Sequence, residues 1–578
     1  MKMINLTINN VKVSVEQNTS ILKAAKKFSM NIPTLCYYED LDIKSDCRVC
    51  VVEIDGKKGL VSACSTPVSE GMVINTNSPR VLNARKTIVE LILSNHDTSC
   101  TTCVKNMRCE LQNLAKNLGI SENRFPSVFE KCEIDESNPS IIRNPNLCIK
   151  CGRCVDVCNN VQGTSVLSIL GRGHETRVSA VFDEDLSDDF CTFCGQCASV
   201  CPVGAIREKD DTDLVWKALT DPTKHVIVQV APAVRVSLGE EVGQEIGTIV
   251  TGKMVSAMKI LGFDQVFDTD FTADLTIIEE GNELIHRVTN GGVLPMMTSC
   301  CPGWINYAET RYPDILDHIS SCKSPQQMFG ALAKTYYPKK VGLDPKDVFV
   351  VSVMPCTAKK YEAQREEMRV DENSPDIDVV LTTRELGKMI KQMGIDFDSL
   401  GEKPFDSPFG ITTGAAAIFG ATGGVMEAAI RTVYEVVNKK PLESLDFKEL
   451  RGLKGIKEAE INLGGTNVKV AVAHTLSKAK ILCDQVRAGT SPYAFIEIMT
   501  CPGGCIGGGG QPYGTNNKVR QDRIDSTYRL DASMKLRKSH ENPEVIALYE
   551  DFLKEPLGKL SHHLLHTHYH DRNHNTKN

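Results

Sequence analysis

Residues 3–15, MINLTINNVKVSV, alternate apolar and polar side chains as a pair of strands does, and SILKAAKKF then places its apolar residues at helical spacing before a cysteine-bearing loop. This order predicts a small sheet crossed by one helix. Beyond residue 210 the pattern changes. Apolar β-branched runs such as HVIVQVAPAV and DVFVVSVMPC alternate with amphipathic stretches such as GKMVSAMKILGF and TRELGKMIKQM. Such alternation predicts α/β layers with ligand-bearing loops at the strand ends. In TIIEEGNELIHRV, Glu280, Glu283 and Arg287 recur at i, i+3 and i+7 beside an apolar stripe of Ile277, Leu284 and Val288. Periodicity alone reads this as a helix with its charged face in solvent.

At 578 residues the chain exceeds one core and is expected to divide into several domains, at least one of them well buried. A net charge of -7, with Lys and Arg spread along the chain, gives no reason to expect nucleic acid or an anionic membrane surface as partner. The opening MKMINLTINNVKVSV lacks a signal peptide's apolar core, and no apolar run reaches the roughly 18 residues that span a bilayer. A cytosolic location is therefore expected. Thiols stay reduced there, so the 23 cysteines read as metal ligands before they read as disulfides. Of these, 16 precede residue 202, which implies small cluster-holding modules followed by one large domain. The chain has no low-complexity linker and no repeat beyond a doubled cysteine run. Its tail, KLSHHLLHTHYHDRNHNTKN, has loosely spaced His residues and is expected to be a solvated terminus rather than a metal site.

The doubled run is Cys148, Cys151, Cys154 and Cys158, then Cys191, Cys194, Cys197 and Cys201, both spaced C-x2-C-x2-C-x3-C. Three close cysteines wrap one cubane while the fourth reaches the other cluster of the pair. Cys148, Cys151, Cys154 and Cys201 should thus hold one 4Fe-4S cluster, and Cys191, Cys194, Cys197 and Cys158 the second. A pair of zinc sites is the alternative, although zinc motifs usually separate two C-x2-C knuckles by a longer loop. Upstream, Cys36, Cys47, Cys50 and Cys64 contain the C-x2-C core of a plant-type 2Fe-2S ferredoxin, with a first gap of ten residues instead of four; a zinc knuckle is also compatible. His96, Cys100, Cys103 and Cys109 in HDTSCTTCVKNMRC supply three thiols and one imidazole, which spacing alone assigns equally to a cubane or to zinc.

Among the remaining cysteines, Cys300, Cys301, Cys356, Cys501 and Cys505 sit in unusual loops, the last amid six glycines of MTCPGGCIGGGGQP. Glycines gather where backbone must approach something bulky. Four ligands for a further cubane can be drawn from these three loops, with one thiol to spare. Cys132, Cys322 and Cys483 are treated as ordinary thiols.

TSCCPGW, VMPCTAKK and MTCPGGCIGGGGQP together resemble the three signature segments of the FeFe hydrogenases, and the order of the N-terminal motifs is similar to that of the large monomeric clostridial type. The resemblance covers nearly the whole chain. It implies an α+β multidomain protein: a β-grasp 2Fe-2S ferredoxin-like domain over residues 1–80, a 4Fe-4S domain with one His and three Cys ligands over 81–127, a bacterial two-cluster ferredoxin-like domain over 138–210, and a large α/β H-cluster catalytic domain over 211–578. Cys301, Cys356, Cys501 and Cys505 would bind the 4Fe part of the H-cluster, and Cys505 would bridge to a two-iron subsite bearing carbon monoxide, cyanide and an aza-dithiolate. His96 would complete a third accessory cubane. Lys359 matches the residue that donates to a cyanide. Ala231, Pro232, Ser324, Gln326, Met354 and Met499 match pocket-lining positions, and Phe419 and Gly420 of GAAAIFGATGG would pack on the H-cluster rather than bind phosphate. Ala233 stands where some members carry Ser, so the resemblance does not carry over a side-chain hydrogen bond to a cyanide at this position, where the backbone N–H is left as a donor.

The charged helical face acquires a role by the same resemblance, as a proton relay from the surface through Arg287, Glu283, Ser320 and Glu280 to Cys300. The activity implied is that of a ferredoxin hydrogenase, interconverting protons, electrons and dihydrogen with ferredoxin or flavodoxin as electron partner, after loading by hydrogenase maturation proteins. An electron-wire subunit of a larger redox complex is the enzyme-free alternative, but it would not need the last three cysteine loops. A hydrogen sensor without turnover usually adds a signalling domain, and none is visible. The lack of a further cysteine set after Cys505 weighs against a bifurcating NAD-linked form.

Overall fold

The computed structural model describes residues 2–186, 191–372 and 374–572. Strands Met3–Ile8 and Val11–Glu16 pair antiparallel, turning at Asn9 and Asn10, whose φ angles of 48° and 67° are those of a two-residue hairpin. They form one edge of a five-stranded sheet that continues through Val73–Asn75, Val51–Ile54 and Val61–Ser62. Helix Ile21–Lys27 crosses it as expected, capped by the Ser20 hydroxyl, which accepts from Lys23 N at 3.3 Å. Its Ile21, Leu22, Ala24 and Ala25 bury against Ile4, Leu6, Ile8, Val13 and Val15.

Helices Pro79–Leu93 and Glu110–Asn117 flank the loop from His96 to Cys109. In the doubled cysteine run, each C-x2-C-x2-C loop enters a short helix, Arg153–Asp156 or Gln196–Ser199, through a left-handed glycine, Gly152 at φ 69° and Gly195 at φ 66°. A repeated sequence has produced a repeated backbone. Strands Ile141–Arg143 and Ile206–Glu208 pair antiparallel and close this module.

The large C-terminal region contains two sheets. In the first, Gln265–Asp268, His225–Val230, Val348–Met354 and Val379–Thr382 all run parallel. In the second, Met296–Met297, Phe495–Met499 and Thr466–His474 run parallel and Ile456–Leu463 joins antiparallel. Parallel strands deliver the loops at their carboxyl ends to one side. Val230 leads to Ala231, Met354 to Cys356, Met297 to Cys300 and Cys301, and Met499 to Cys501, so both sheets present their chemistry to a shared crevice.

Helix Thr269–Asn290 borders this crevice, and here two expectations are corrected. Glu280 and Glu283 are buried, because the segment around Ser320 and helix Pro325–Val341 cover that face. Val288, assigned to the apolar stripe, is 46% exposed, since the helix emerges beyond Leu284. The expectation of a solvated tail also fails for its first half: Lys559–Leu565 is a helix, and Leu564, Leu565, His566 and Thr567 are buried, because the two leucines complete the core above helix Pro325–Val341. Residues 573–578 lie outside the described residues. No described helix is long and apolar enough to cross a membrane.

Candidate active site and cluster cradles

A cavity lies where the strand ends meet, lined by Cys300, Cys301, Cys356, Cys501 and Cys505. Cys301 sits at the start of helix Pro302–Arg311, whose first-turn proline needs no amide partner. Its Sγ accepts from Thr500 N at 3.4 Å, and Trp304 Nε1 anchors the turn by donating to Thr298 O at 3.0 Å. The glycine run is required by neighbouring backbone as much as by any ligand. A Cβ on Gly508 would lie 2.1 Å from Pro355 O, and one on Gly509 would lie 2.1 Å from Cys194 O.

Burial, then the charge of neighbouring thiols, pushes the pKa values of Cys356 and Cys501 up, and Cys505 is raised to about 12 by burial and then Cys301. Buried thiols gathered this closely become stable thiolates together only around a cation that offsets their repulsion, and the donor set of Cys301, Cys356, Cys501 and Cys505 thus suits an iron-sulfur cluster. Burial, then Glu280 and Cys301, raises Cys300 well above the ordinary thiol range, so it stays protonated.

Ala231, Pro232, Gln326, Met354, Lys359, Phe419 and Met499 also line the cavity. Ser324 and Gly420 do not. The Ser324 hydroxyl donates to Glu362 Oε2 at 2.9 Å behind the wall, while Gly420 packs on Ala233, 3.1 Å from where its Cβ would stand. Lys359 Nζ donates to Cys300 O at 3.1 Å and to both Glu362 oxygens at 3.0 and 2.8 Å. Glu362, which also accepts from Gln326 Nε2 at 3.0 Å, is a positioning residue that sequence reading missed. Its one signal was the i, i+3 spacing from Lys359.

Toward the surface, Arg287 donates to Glu283 Oε1 from Nε at 3.1 Å and from Nη2 at 2.6 Å, and the Ser320 hydroxyl donates to Glu283 Oε2 at 2.8 Å. Burial and then the nearby Glu283 raise Glu280 to about 8, so it holds a proton at neutral pH; its Oε1 is buried with no hydrogen-bond partner. Of the five sequence-proposed relay residues, Arg287, Glu283 and Ser320 are joined by hydrogen bonds, Cys300 lines the cavity, and the buried Glu280 is near enough to both Glu283 and Cys300 to act on them through its charge.

One cavity is lined by Cys148, Cys151, Cys154 and Cys201, and another by Cys158, Cys191, Cys194 and Cys197. The crossed grouping expected from spacing is the grouping in space. Cys36 N donates to Cys47 Sγ at 3.4 Å, and the Cys50 and Cys64 sulfurs are also 3.4 Å apart, a compact four-thiol cradle. His96 Nδ1 is buried without a partner, free to complete the donor set of Cys100, Cys103 and Cys109. The modules are docked together. Asn306 Nδ2 donates to Cys191 O at 2.9 Å, Thr357 Oγ1 to Phe193 O at 2.7 Å, and Tyr38 OH to Thr515 O at 2.7 Å.

Thiol cradles converging on one buried, thiol-lined cavity with a carboxylate path to the surface define an iron-sulfur redox enzyme that handles protons. Comparison with known proteins agrees. Residues 224–509 match the iron only hydrogenase large subunit, C-terminal domain, and 517–572 the iron hydrogenase small subunit. Residues 1–79 match a 2Fe-2S iron-sulfur cluster binding domain, 85–124 the NADH-ubiquinone oxidoreductase-G iron-sulfur binding region, and 147–205 a 4Fe-4S dicluster domain. The chain is 50% identical to NADP-reducing hydrogenase subunit HndD of Solidesulfovibrio fructosivorans, over 99% of this chain and 100% of that protein. It is 42% identical to Iron hydrogenase 1 of Clostridium pasteurianum, over 98% and 99% of the two. A solved structure of a single-site variant of FeFe-hydrogenase HydA1 from Chlamydomonas reinhardtii superimposes with a TM-score of 0.57 at 43% identity, covering 63% of this chain and 99% of that one. The chain belongs to the FeFe (iron-only) hydrogenases: it carries an H-cluster catalytic domain behind 2Fe-2S and 4Fe-4S binding domains and interconverts protons and dihydrogen with an electron carrier.

Proposed function

We propose that this hydrogenase works reversibly with reduced ferredoxin or flavodoxin as its electron partner in the cytoplasm, using modules over residues 1–80, 81–127, 138–210 and 211–578. In this reading Cys36, Cys47, Cys50 and Cys64 hold one 2Fe-2S cluster; His96 with Cys100, Cys103 and Cys109, and the two crossed sets, hold three accessory cubanes. Cys301, Cys356, Cys501 and Cys505 hold the H-cluster, whose two-iron subsite with carbon monoxide, cyanide and aza-dithiolate is installed by maturation proteins. The observation that carries the reading is the five-thiol cavity between two sheets, with Gly509 packed on the Cys194 loop beside it.

When bound, the H-cluster supplies the metal centre at which protons and electrons combine. The chain's own residues exclude water, hold the Lys359 ammonium at the cavity wall, and move protons. The Cys300 thiol gives its proton into the cavity and takes the one held by Glu280, and Glu280 is recharged from Glu283, beside Arg287, through the Ser320 hydroxyl. The kinship to HndD favours a second reading, in which the chain is the hydrogen-handling subunit of a pyridine-nucleotide-linked assembly.

The test compares donors on the anaerobically matured chain. Dihydrogen evolution from reduced dye and from reduced ferredoxin supports the first reading. Evolution from dye but not from ferredoxin, with NADPH active once partner subunits are added, selects the second.

A further inference from the structure

The thiol cradles lie far apart in sequence, yet one guanidinium bonds beside ligands of three of them. Arg153 opens the helix Arg153–Asp156, between Cys151 and Cys154, and is 2% exposed. Its Nη1 and Nη2 donate to Glu110 Oε1 and Oε2 at 2.8 and 2.9 Å, and Glu110 follows Cys109. Nη2 also donates to Tyr37 O at 2.8 Å, and Tyr37 follows Cys36. Nη1 reaches Val200 O at 3.4 Å, one residue before Cys201, the fourth thiol of the cavity that Cys148, Cys151 and Cys154 line. The guanidinium carbon stands 5.4 Å from the centre of the Tyr38 ring.

Only arginine suits this place. Gripping a carboxylate with two nitrogens while each of them also serves a carbonyl takes a planar, permanently charged group whose donors are fixed in direction. Arg153 itself lines the cubane cavity. Its two terminal nitrogens are each used twice, whereas its Nε is buried with no hydrogen-bond partner among the described residues. Left unmade, that bond would cost the desolvation of a buried N–H. An orphan donor at the wall of a cavity built from four thiols is matched by a sulfur acceptor. Hydrogen bonds to the sulfurs of a cluster raise its reduction potential, and a positive charge beside it acts in the same direction by favouring the reduced form.

We propose that Arg153 is the electron junction of the accessory modules. It ties the 2Fe-2S module and the His96 module to the cubane of Cys148, Cys151, Cys154 and Cys201 by bonds placed one residue from a ligand of each, and gives its Nε–H to a sulfur of that cubane. This rests on the cluster sets proposed above. Electron tunnelling falls steeply with separation, and more steeply across a gap than through bonded atoms, so a bridge at these positions shortens the path from both outer clusters. In each step one electron leaves the reduced 2Fe-2S cluster or the reduced His96 cubane and reduces the oxidised junction cubane; dihydrogen uptake runs the step in reverse. Arg153 keeps its charge and all its protons throughout, and is a positioning residue.

The test mixes the matured full chain with dihydrogen, whose oxidation sends electrons outward, and follows the accessory clusters by freeze-quench paramagnetic resonance. A redox titration gives the potential of the junction cubane. Arg153→Met is expected to shift that potential down and to delay reduction of both the 2Fe-2S cluster and the His96 cubane. Arg153→Lys keeps the charge but cannot span Glu110 and Tyr37, so it should shift the potential less and still delay both. The Glu110 side chain is 46% exposed and can be cut back without opening the core. Glu110→Ala should delay the His96 cubane alone, a selectivity that a merely structural role would not produce. Parent kinetics of both outer clusters, or an unmoved junction potential, in Arg153→Met overturns the proposal. Should that variant fail to fold, parent kinetics of the His96 cubane in Glu110→Ala overturns it. A parent chain in which dihydrogen reduces neither outer cluster overturns the cluster reading beneath it.

Discussion

At the residue scale, adjacent Cys300 and Cys301 do different work because successive side chains leave the backbone in different directions. Cys301 takes a hydrogen bond from Thr500 N at its sulfur, whereas Cys300 meets Lys359 through its carbonyl and has Glu280 as the nearest carboxyl influence on its thiol. Cys300→Ser is expected to keep all clusters and lose most turnover, since a hydroxyl matches the shape of the thiol but is a far weaker acid; Cys301→Ser should disturb the cofactor itself. Infrared spectra of the matured variants with evolution and uptake assays check both. Cys300→Ser turning over at the parent rate with intact bands would leave the second thiol as packing only. Glu280 offers a pH test. Its pKa is raised to about 8, so the native chain holds a proton there that the unfolded chain has already released above the ordinary carboxylate range. The sign follows: this proton's contribution to stability is present at acid pH and lost as pH rises through about 8. Infrared difference spectra between parent and Glu280→Gln should show a protonated-carboxyl band at pH 7 that disappears above that value. At the other end of the chain, His96→Cys should retain a cubane, with a lower reduction potential from the added negative charge. Cluster spectra unchanged by the substitution would remove His96 from the ligand set.

At the element scale, the glycine run after Phe495–Met499 determines how closely the accessory module approaches the active cavity. Its conformational freedom matters less than its lack of Cβ atoms, because Gly509 packs directly on the Cys194 carbonyl. Gly509→Ala is expected to cost about 1–3 kcal/mol through overpacking, or to push the two loops apart. A lowered melting temperature, or slower evolution from ferredoxin with less effect when a small dye supplies electrons, checks this. Unchanged values for both would mean that the contact is looser than described. Helix Thr269–Asn290 makes the complementary point. Its period correctly grouped Glu280, Glu283 and Arg287, yet the same period read them as solvated. Which face is covered depends on Ser320, Ser321 and the His566 segment, which are remote in sequence.

At the scale of the whole molecule, the cradles imply about 20 irons per chain when one 2Fe-2S cluster, three accessory cubanes and a six-iron H-cluster are all present. Metal analysis of the matured chain should give that value, with two fewer irons when only the two-iron subsite is lacking. One or more equivalents of zinc with correspondingly low iron would reassign at least one of the four-donor sets.

Cysteine spacing by itself determined how the thiols of the doubled run group, crossed pairing included, because a cubane demands thiolates at short fixed separations and the chain between them is too short to do otherwise. The early strands and helix, the parallel sheet strands and the three catalytic loops were legible for a similar reason: each is specified by local periodicity or by a motif with a local geometric purpose. The tertiary structure alone decided which charges are buried. Glu280 holds a proton because distant segments exclude water from it, Ser324 turns to Glu362 behind the cavity wall instead of lining the cavity, and a His-rich tail that looked solvated is partly core because Leu564 and Leu565 find a surface to cover. Desolvation is a property of what packs on a residue, and the packing partners lie far off along the chain, 287 positions away between Glu279 and His566.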